Sequence, residues 1–292
     1  MGFDVTWHPI SQKEMRLWYF DRLEEARRGD YATAMALAAQ HRMGQEAGYQ
    51  DFCQKGYRAM LEQAAQLTDK DPFDKTHSYI LAMIQGLFRT YYYTRGGIFS
   101  GLAEMEPRMA GYTLPFQAII GDEPRWGTIR NRIYENYCGG VYIPETAVPR
   151  LLADYEKGSV EGPLKQCFGN ALPVFLKALL HAKEEGLGLL EATEVVEPNP
   201  MDLEATTCRS YLMNCDMDGV AIYVQTAKQQ LEQAVRSQGQ DPAKVQVTRQ
   251  VTHIEAPPPA PPAAPPAPSP APAPPAAKKK KGLLGRLFGG KD

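Results

Sequence analysis

A short acidic segment that ends at Gly219 has residue types and spacing that could hold a metal ion. Asn214, Asp216 and Asp218 place side-chain oxygens at alternate positions, and Gly219 follows at the sixth position. Calcium-binding loops begin in this way, because a hard cation prefers oxygen ligands and the sharp turn needs glycine. The twelfth position is Gln225, where such a loop has a bidentate Glu. We therefore assign no metal ligand here and favour a polar turn. A chemical role for Asp216 and Asp218 stays open.

Cys138 precedes two glycines and is the thiol with the most suggestive sequence context. The backbone N–H groups of Gly139 and Gly140 could face an oxyanion, which would suit a nucleophilic cysteine. A small apolar residue at a helix end, followed by a flexible turn, explains the same three residues. Because no histidine can be assigned as a base, we predict no catalytic residue and leave the role of Cys138 open.

The remaining motifs of metal, redox and nucleotide chemistry do not occur in this sequence. It has no H-E-x-x-H, no Cys-x-x-Cys, no P-loop and no G-x-G-x-x-G. The five cysteines have irregular spacing, which favours reduced thiols in a cytosolic protein. The first residues do not resemble a secretory signal, and no apolar run has the length of a transmembrane helix. We predict no cofactor and a cytoplasmic location.

The C-terminal 15 residues combine a positive block with a short amphipathic pattern. Leucines 283, 284 and 287 and Phe288 lie on one face of a helix, and Arg286 lies off that face. The candidate docking residues of this tail are Lys278, Lys279, Lys280, Lys281, Leu283, Leu284, Arg286, Leu287 and Phe288. Each apolar side chain gains roughly 1.5–3 kcal/mol on burial, and each basic residue adds about 1 kcal/mol at an anionic membrane. Because glycines raise the cost of forming the helix, we expect weak, salt-sensitive attachment to an anionic membrane or a protein groove. A solvated tail without a partner is the remaining alternative.

A Pro/Ala-rich segment, residues 257–277, separates this tail from the rest of the chain. It contains twelve of the 24 prolines, which favour an extended polyproline II conformation. At about 3.1 Å per residue, it could hold the tail on the order of 60 Å from the body. We interpret this segment as a spacer.

The charge of the chain is divided unevenly between the body and the C-terminal segments. Six of the 32 basic residues and one of the 34 acidic residues lie from Pro257 onward, so that part carries +5 and the remainder −7. Duplex nucleic acid is bound through neutralisation of its phosphates by Lys and Arg. We therefore do not expect nucleic acid as a partner of the body.

Hydrophobic periodicity, capping residues and breakers predict an α+β body over residues 1–256. Ser11 and Glu14 form a capping box at the start of one helix. Further helices are predicted over residues 31–41, 45–67, 73–94, 126–137, 149–155, 164–185 and 226–237. The helix over residues 164–185 is expected to break near Gly169 and Pro173. Strands are predicted over residues 3–10, 141–144, 191–197, 220–224 and 244–254. The order favours a helix-rich N-terminal half packed with a small mixed or antiparallel sheet. A break into two subdomains near residues 138–144 is left open.

The sequence thus contains a clearer signal for attachment through the C-terminal tail than for catalysis. We predict a non-enzymatic interaction or adaptor protein that its tail places at a membrane surface or in a larger assembly, with an unidentified protein as partner of the body. The alternative is a soluble hydrolase or transferase delivered by the same tail. A deep pocket with convergent polar groups would favour the enzyme, and an exposed apolar patch would favour the adaptor.

Overall fold

The computed structural model describes residues 2–41, 43–44, 48–121 and 123–242. The predicted last strand, the linker and the tail lie outside these residues. The helices are α1 Gln12–Met15, α2 Asp21–Arg27, α3 Ala32–Gln40, α4 Gln50–Ala65, α5 His77–Gln85, α6 Phe99–Met105, α7 Pro107–Ala110, α8 Gln117–Ile120, α9 Ala147–Glu156, α10 Glu161–Phe168, α11 Leu172–Glu184 and α12 Asp218–Ser237. The strands are β1 Asp4–Ile10, β2 Tyr91–Arg95, β3 Gly139–Ile143, β4 Gly188–Thr193, β5 Val196–Glu197, β6 Thr207–Cys208 and β7 Cys215–Asp216.

A five-stranded mixed sheet, in the order β3-β4-β1-β2-β7, forms the centre of the fold. The β3–β4, β4–β1 and β1–β2 pairs are antiparallel, and β7 runs parallel to β2. Strands β5 and β6 form a separate two-stranded antiparallel sheet. This architecture, with many helices in the N-terminal half, confirms the predicted α+β class.

Apolar side chains cover both faces of the sheet, because successive residues of a strand point to opposite sides. Val5 and Trp7 of β1 pack with α6 and α9 to α11 in one core. Tyr142 of β3 and Leu190 of β4 pack with α2 to α5 in the other core. The sheet therefore lies between two helical layers and is buried on both sides.

The predicted elements with strong local signals are confirmed. The Ser11 hydroxyl accepts the Glu14 N–H at 3.2 Å, and the Glu14 carboxylate accepts the Ser11 N–H at 2.9 Å, which completes the capping box. Strands β1 and β3 and helix α9 form where predicted, and the predicted break separates α10 from α11. The signals for these elements join residues two to four positions apart, which the sequence alone can show.

The predicted helix over residues 73–94 is wrong in its second half. The chain leaves α5 after Gln85, and Tyr91 to Tyr93 form strand β2. Gly86 lies against the Ser210 hydroxyl, which would be only 2.4 Å from an added Cβ, so any larger residue would require Ser210 to move. Beyond this glycine, β2 pairs with β1 and β7, and aromatic residues pack well on a sheet. The three tyrosines are therefore buried strand residues instead of the end of a helix.

The predicted helix over residues 126–137 does not form. The buried carboxylate of Asp74 accepts the backbone N–H groups of Arg130 and Asn131 at 2.8 and 3.0 Å. These two N–H groups are therefore not available for the backbone hydrogen bonds of a helix. Asn131 and Tyr137 also adopt positive φ angles of 54° and 55°. A helix cannot pass through these left-handed positions.

The predicted strand over residues 220–224 is wrong, because these residues lie in α12. Val220, Tyr223 and Val224 lie on one face of this helix and pack against Tyr91 and Tyr93 of β2. Ala221 is exposed, and Ile222 packs against the core that contains Trp7. The predicted helix over residues 226–237 is the second half of α12. Neither α12 nor any other helix of the described residues is long and apolar enough to cross a membrane.

Candidate functional site

The two aspartates of the calcium-like segment form ion pairs with a lysine side chain of the protein. The Lys177 ammonium of α11 donates to the carboxylates of Asp216 and Asp218 at 2.6 and 2.7 Å. These two hydrogen bonds raise the pKa of Lys177 above its usual range, so the side chain stays charged. The position that a metal ion would take between the two carboxylates is therefore filled by an ammonium group.

Gly219 follows these aspartates for a reason unrelated to metal binding. A Cβ at this position would lie 1.7 Å from the Tyr93 carbonyl oxygen. The glycine lets the start of α12 approach β2, which no other residue type would allow. Over residues 2–41, 43–44, 48–121 and 123–242, no three His, Cys, Asp or Glu side chains are grouped so that they could hold a metal ion.

Cys138 is a buried thiol directly before β3. Its sulfur donates to the carbonyl oxygens of Gly139 and Arg132 at 3.3 and 3.7 Å. Burial raises the pKa of Cys138 to about 12, so the thiolate form, which is the nucleophile, is disfavoured at neutral pH. These contacts fit a structural residue.

The two glycines after Cys138 belong to β3 and allow close packing. An added Cβ would lie 1.7 Å from the Ser78 hydroxyl at Gly139 and 2.1 Å from the Glu191 carboxylate at Gly140. The N–H of the next residue, Val141, donates to Glu191 at 3.2 Å. The glycines therefore make room for neighbouring side chains, and the β-bulge that they form is held by a carboxylate.

Three buried titratable side chains support the sheet. Glu191 also accepts the Phe99 N–H at 2.6 Å, and burial raises its pKa to about 7. His8 contacts Gln85 at 2.7 Å, and burial lowers its pKa to about 4. Burial also lowers the pKa of His77 to about 4. All three are enclosed by neighbouring elements and do not line the surface features described next.

An exposed aromatic patch lies at the start of α4. The side chains of Tyr49 and Phe52 are 43% and 56% exposed, and their ring centroids lie 5.4 and 6.1 Å from that of Tyr211. Tyr211 itself is only 8% exposed, so it fixes the two outer rings from below. Exposed apolar groups of this kind mark interaction surfaces when they are clustered. We call these three residues the aromatic patch.

A pocket of about 330 Å³ opens between α4, α5 and the segment before β3. Leu67, Ile80 and Met83 contribute apolar side chains, and Tyr79 and Tyr137 contribute aromatic ones. The cations Lys75 and Arg209 and the polar side chains of Gln63 and Thr76 also line it. We call this cavity the Arg209 pocket.

Sequence analysis missed both the aromatic patch and the Arg209 pocket. The patch joins Tyr211 to residues far earlier in the chain, and the pocket joins Tyr79 to Arg209 across 130 positions. A possible signal for the patch is the spacing of Tyr49 and Phe52, which places two large aromatic residues one helical turn apart among polar neighbours. The candidate docking residues of the tail lie outside the described residues.

No family model matches this chain, and no curated protein or solved structure is significantly similar to it.

Proposed function

We propose that this protein is a non-enzymatic adaptor whose body binds a protein partner through the aromatic patch and whose tail attaches it to an anionic membrane surface. The observation that carries the proposal is the pair of half-exposed rings of Tyr49 and Phe52, supported by the buried ring of Tyr211. Aromatic residues are enriched in protein interfaces because they bury much apolar area at little cost in conformational entropy.

The charge of the body suggests the chemistry of the partner. The chain up to residue 256 carries a net charge of −7, which favours association with a basic surface. We infer a partner with a basic surface and apolar side chains that pack on the two exposed rings. The tail, with a net charge of +5 in the segment from Pro257, would bring the body close to anionic lipid.

Co-sedimentation with vesicles tests the membrane part of the proposal. The full chain and a truncation after Ala256 are mixed with phosphatidylcholine vesicles that contain phosphatidylserine, at low and at high salt. We expect only the full chain to pellet, and high salt to release it, because about 1 kcal/mol per basic residue is lost when the charges are screened. Equal behaviour of the two chains would contradict membrane attachment by the tail.

Site-specific photo-cross-linking tests the partner part. A photoreactive phenylalanine replaces Phe52 in one variant and Met105, which is 76% exposed elsewhere, in the control. We expect a protein adduct at position 52 that is missing at position 105. The purified partner should then bind the unmodified chain directly and lose at least about tenfold in affinity for Phe52→Ser. An adduct that forms equally at both positions, or binding that Phe52→Ser leaves unchanged, would contradict the proposal.

A further inference from the structure

The Arg209 pocket has the features of a small-molecule site that is separate from the aromatic patch. Its volume of about 330 Å³ is within the range of ligand pockets, which begins at about 300 Å³. Leu67, Ile80 and Met83 give it an apolar floor. A small number of polar groups at the edge of an apolar cavity is the usual composition of such sites.

The walls of the pocket are fixed before any ligand arrives. The Tyr79 hydroxyl donates to the Glu194 carbonyl oxygen at 3.0 Å, and the Tyr137 N–H donates to the Glu194 carboxylate at 3.1 Å. Tyr137 and Glu194 both have left-handed backbones, with φ angles of 55° and 54°. Such a backbone is rare for an aromatic residue and persists only where surrounding contacts enforce it. Glu194, which is buried, thus fixes the Tyr79 hydroxyl and the Tyr137 backbone.

Arg209 presents its guanidinium, which carries five N–H donors, at the same wall and hydrogen-bonds to the Tyr137 side chain. Its backbone N–H donates to the Val195 carbonyl oxygen at 2.9 Å, which anchors the residue. The guanidinium lies over the Tyr137 ring at 4.5 Å from its centroid. The nearest carboxylate oxygen, on Glu197, is 3.6 Å away, beyond the distance of a charge-assisted hydrogen bond. An anion that enters the pocket would therefore compete with Glu197 and the Tyr137 side chain for the donors of Arg209.

The second cation of the pocket contributes in a different way. Lys75 donates a hydrogen bond to Glu135, so its charge is largely balanced. Arg209 therefore remains the cation of this lining that can bind an anion through two parallel hydrogen bonds.

We propose that the Arg209 pocket binds a small aromatic anion. The flat ring would lie on Leu67, Ile80 and Met83, beside the Tyr79 and Tyr137 rings, which contact each other edge to face with centroids 6.3 Å apart. Its carboxylate or phosphate group would accept hydrogen bonds from Arg209. Arg suits this role because its planar guanidinium matches the geometry of both anions. The proposal is independent of the aromatic patch and of the tail, so either proposal can fail without the other.

Calorimetric titration of the full chain with benzoate and with phenyl phosphate tests this site, and benzamide serves as the neutral probe. We expect at least one charged probe to bind at least about tenfold tighter than benzamide. Arg209→Gln should weaken that probe by a similar factor, and Tyr137→Asn, which tolerates the left-handed backbone, should also weaken it. Glu197→Gln should tighten it by about threefold or more, because the competing carboxylate is removed.

The matched control is Arg125→Gln. The Arg125 side chain is 43% exposed, as is that of Arg209, and it lies 4.7 Å from the centroid of the Trp126 ring, away from the pocket. We expect this variant to bind the probe like the unchanged protein, with equal urea midpoints for both arginine variants. No binding of either charged probe at about 1 mM, equal losses in the two arginine variants, or unchanged affinity in Glu197→Gln would overturn the proposal.

Discussion

The carboxylate of Glu191 accepts the backbone N–H of Phe99 at 2.6 Å, so strand β4 holds the start of helix α6. The same side chain accepts the N–H groups of Ser100 and Val141 at 3.2 Å each. One buried carboxylate therefore supplies acceptors to a helix N-terminus and to the β-bulge of β3. Burial opposes its charge and raises its pKa from 4.5 to about 7, while the three donors favour the charge.

Glu191→Gln should change how stability depends on pH. Between about pH 4.5 and 7 the folded protein binds more protons at Glu191 than the unfolded chain does. Its contribution to stability is therefore full below that window and falls as pH rises through it, by up to about 1.4 kcal/mol per pH unit. Urea unfolding of both proteins across this window should show the advantage of the unchanged protein shrinking. Glu232→Gln, at an exposed position of α12, is the control, and parallel curves for Glu191→Gln would contradict this prediction.

Acidification should destabilise the protein through its two buried histidines. His8 and His77 have pKa values lowered from 6.5 to about 4, so the unfolded chain takes up protons before the folded one. Each histidine therefore removes up to about 1.4 kcal/mol per pH unit as pH falls from 6.5 to 4. Glu191 acts with the opposite sign over part of this range, which leaves a net loss of about 1.4 kcal/mol per unit.

Substitution of one histidine isolates its share of this loss. His8→Asn should reduce the slope of unfolding free energy against pH by about 1.4 kcal/mol per unit, in addition to a constant destabilisation from lost contacts with Gln85. Urea titrations at several pH values measure the slope. The exposed His41→Asn serves as the control. A slope that His8→Asn does not change would show that its ring is protonated in the folded protein.

Gly219→Ala should destabilise the protein, whereas Gly56→Ala should not. The added Cβ at position 219 would meet the Tyr93 carbonyl oxygen, which forces a backbone shift and costs at least about 2 kcal/mol. Position 56, inside α4, would bring an added Cβ only to ordinary contact with Leu87 at 3.8 Å, so alanine there should stabilise by about 0.5–1 kcal/mol. Thermal unfolding of the two variants measures both changes in stability.

Thermal unfolding of the unchanged protein with and without calcium tests metal binding by the segment that ends at Gly219. Because Lys177 already pairs with Asp216 and Asp218, a calcium-dependent shift of the unfolding temperature would contradict our assignment of no metal ligand there.

The aromatic patch should matter little for stability. Phe52 points outward from α4, and Phe52→Ser should lower the free energy of unfolding by no more than about 1 kcal/mol. Tyr57 points inward from the same helix and donates to the Trp18 carbonyl oxygen at 2.7 Å, so Tyr57→Ala should cost about 3–5 kcal/mol. Urea denaturation of the two variants makes the comparison. A large loss for Phe52→Ser would place the ring in the core and remove the basis of the adaptor proposal.

The sequence by itself determined the elements whose signals are local. The capping box of Ser11 and Glu14 joins residues one helical turn apart, and the alternation of Val5 and Trp7 reports one face of a strand. The Gly- and Pro-containing break between α10 and α11 is equally local. Because such signals act over a few residues, they predicted the α+β class without knowledge of the tertiary contacts.

Only the tertiary structure decided the elements that local preference leaves nearly balanced. Tyr91 to Tyr93 become a strand because β1 and β7 supply hydrogen-bonding partners. Residues 220–224 become helical because that conformation packs Val220, Tyr223 and Val224 on β2. The candidate sites are assembled in the same way: Arg209 meets Tyr137, and Lys177 meets Asp216, across long stretches of chain. Contacts between distant residues depend on the arrangement of the whole sheet, which no short pattern in the sequence encodes.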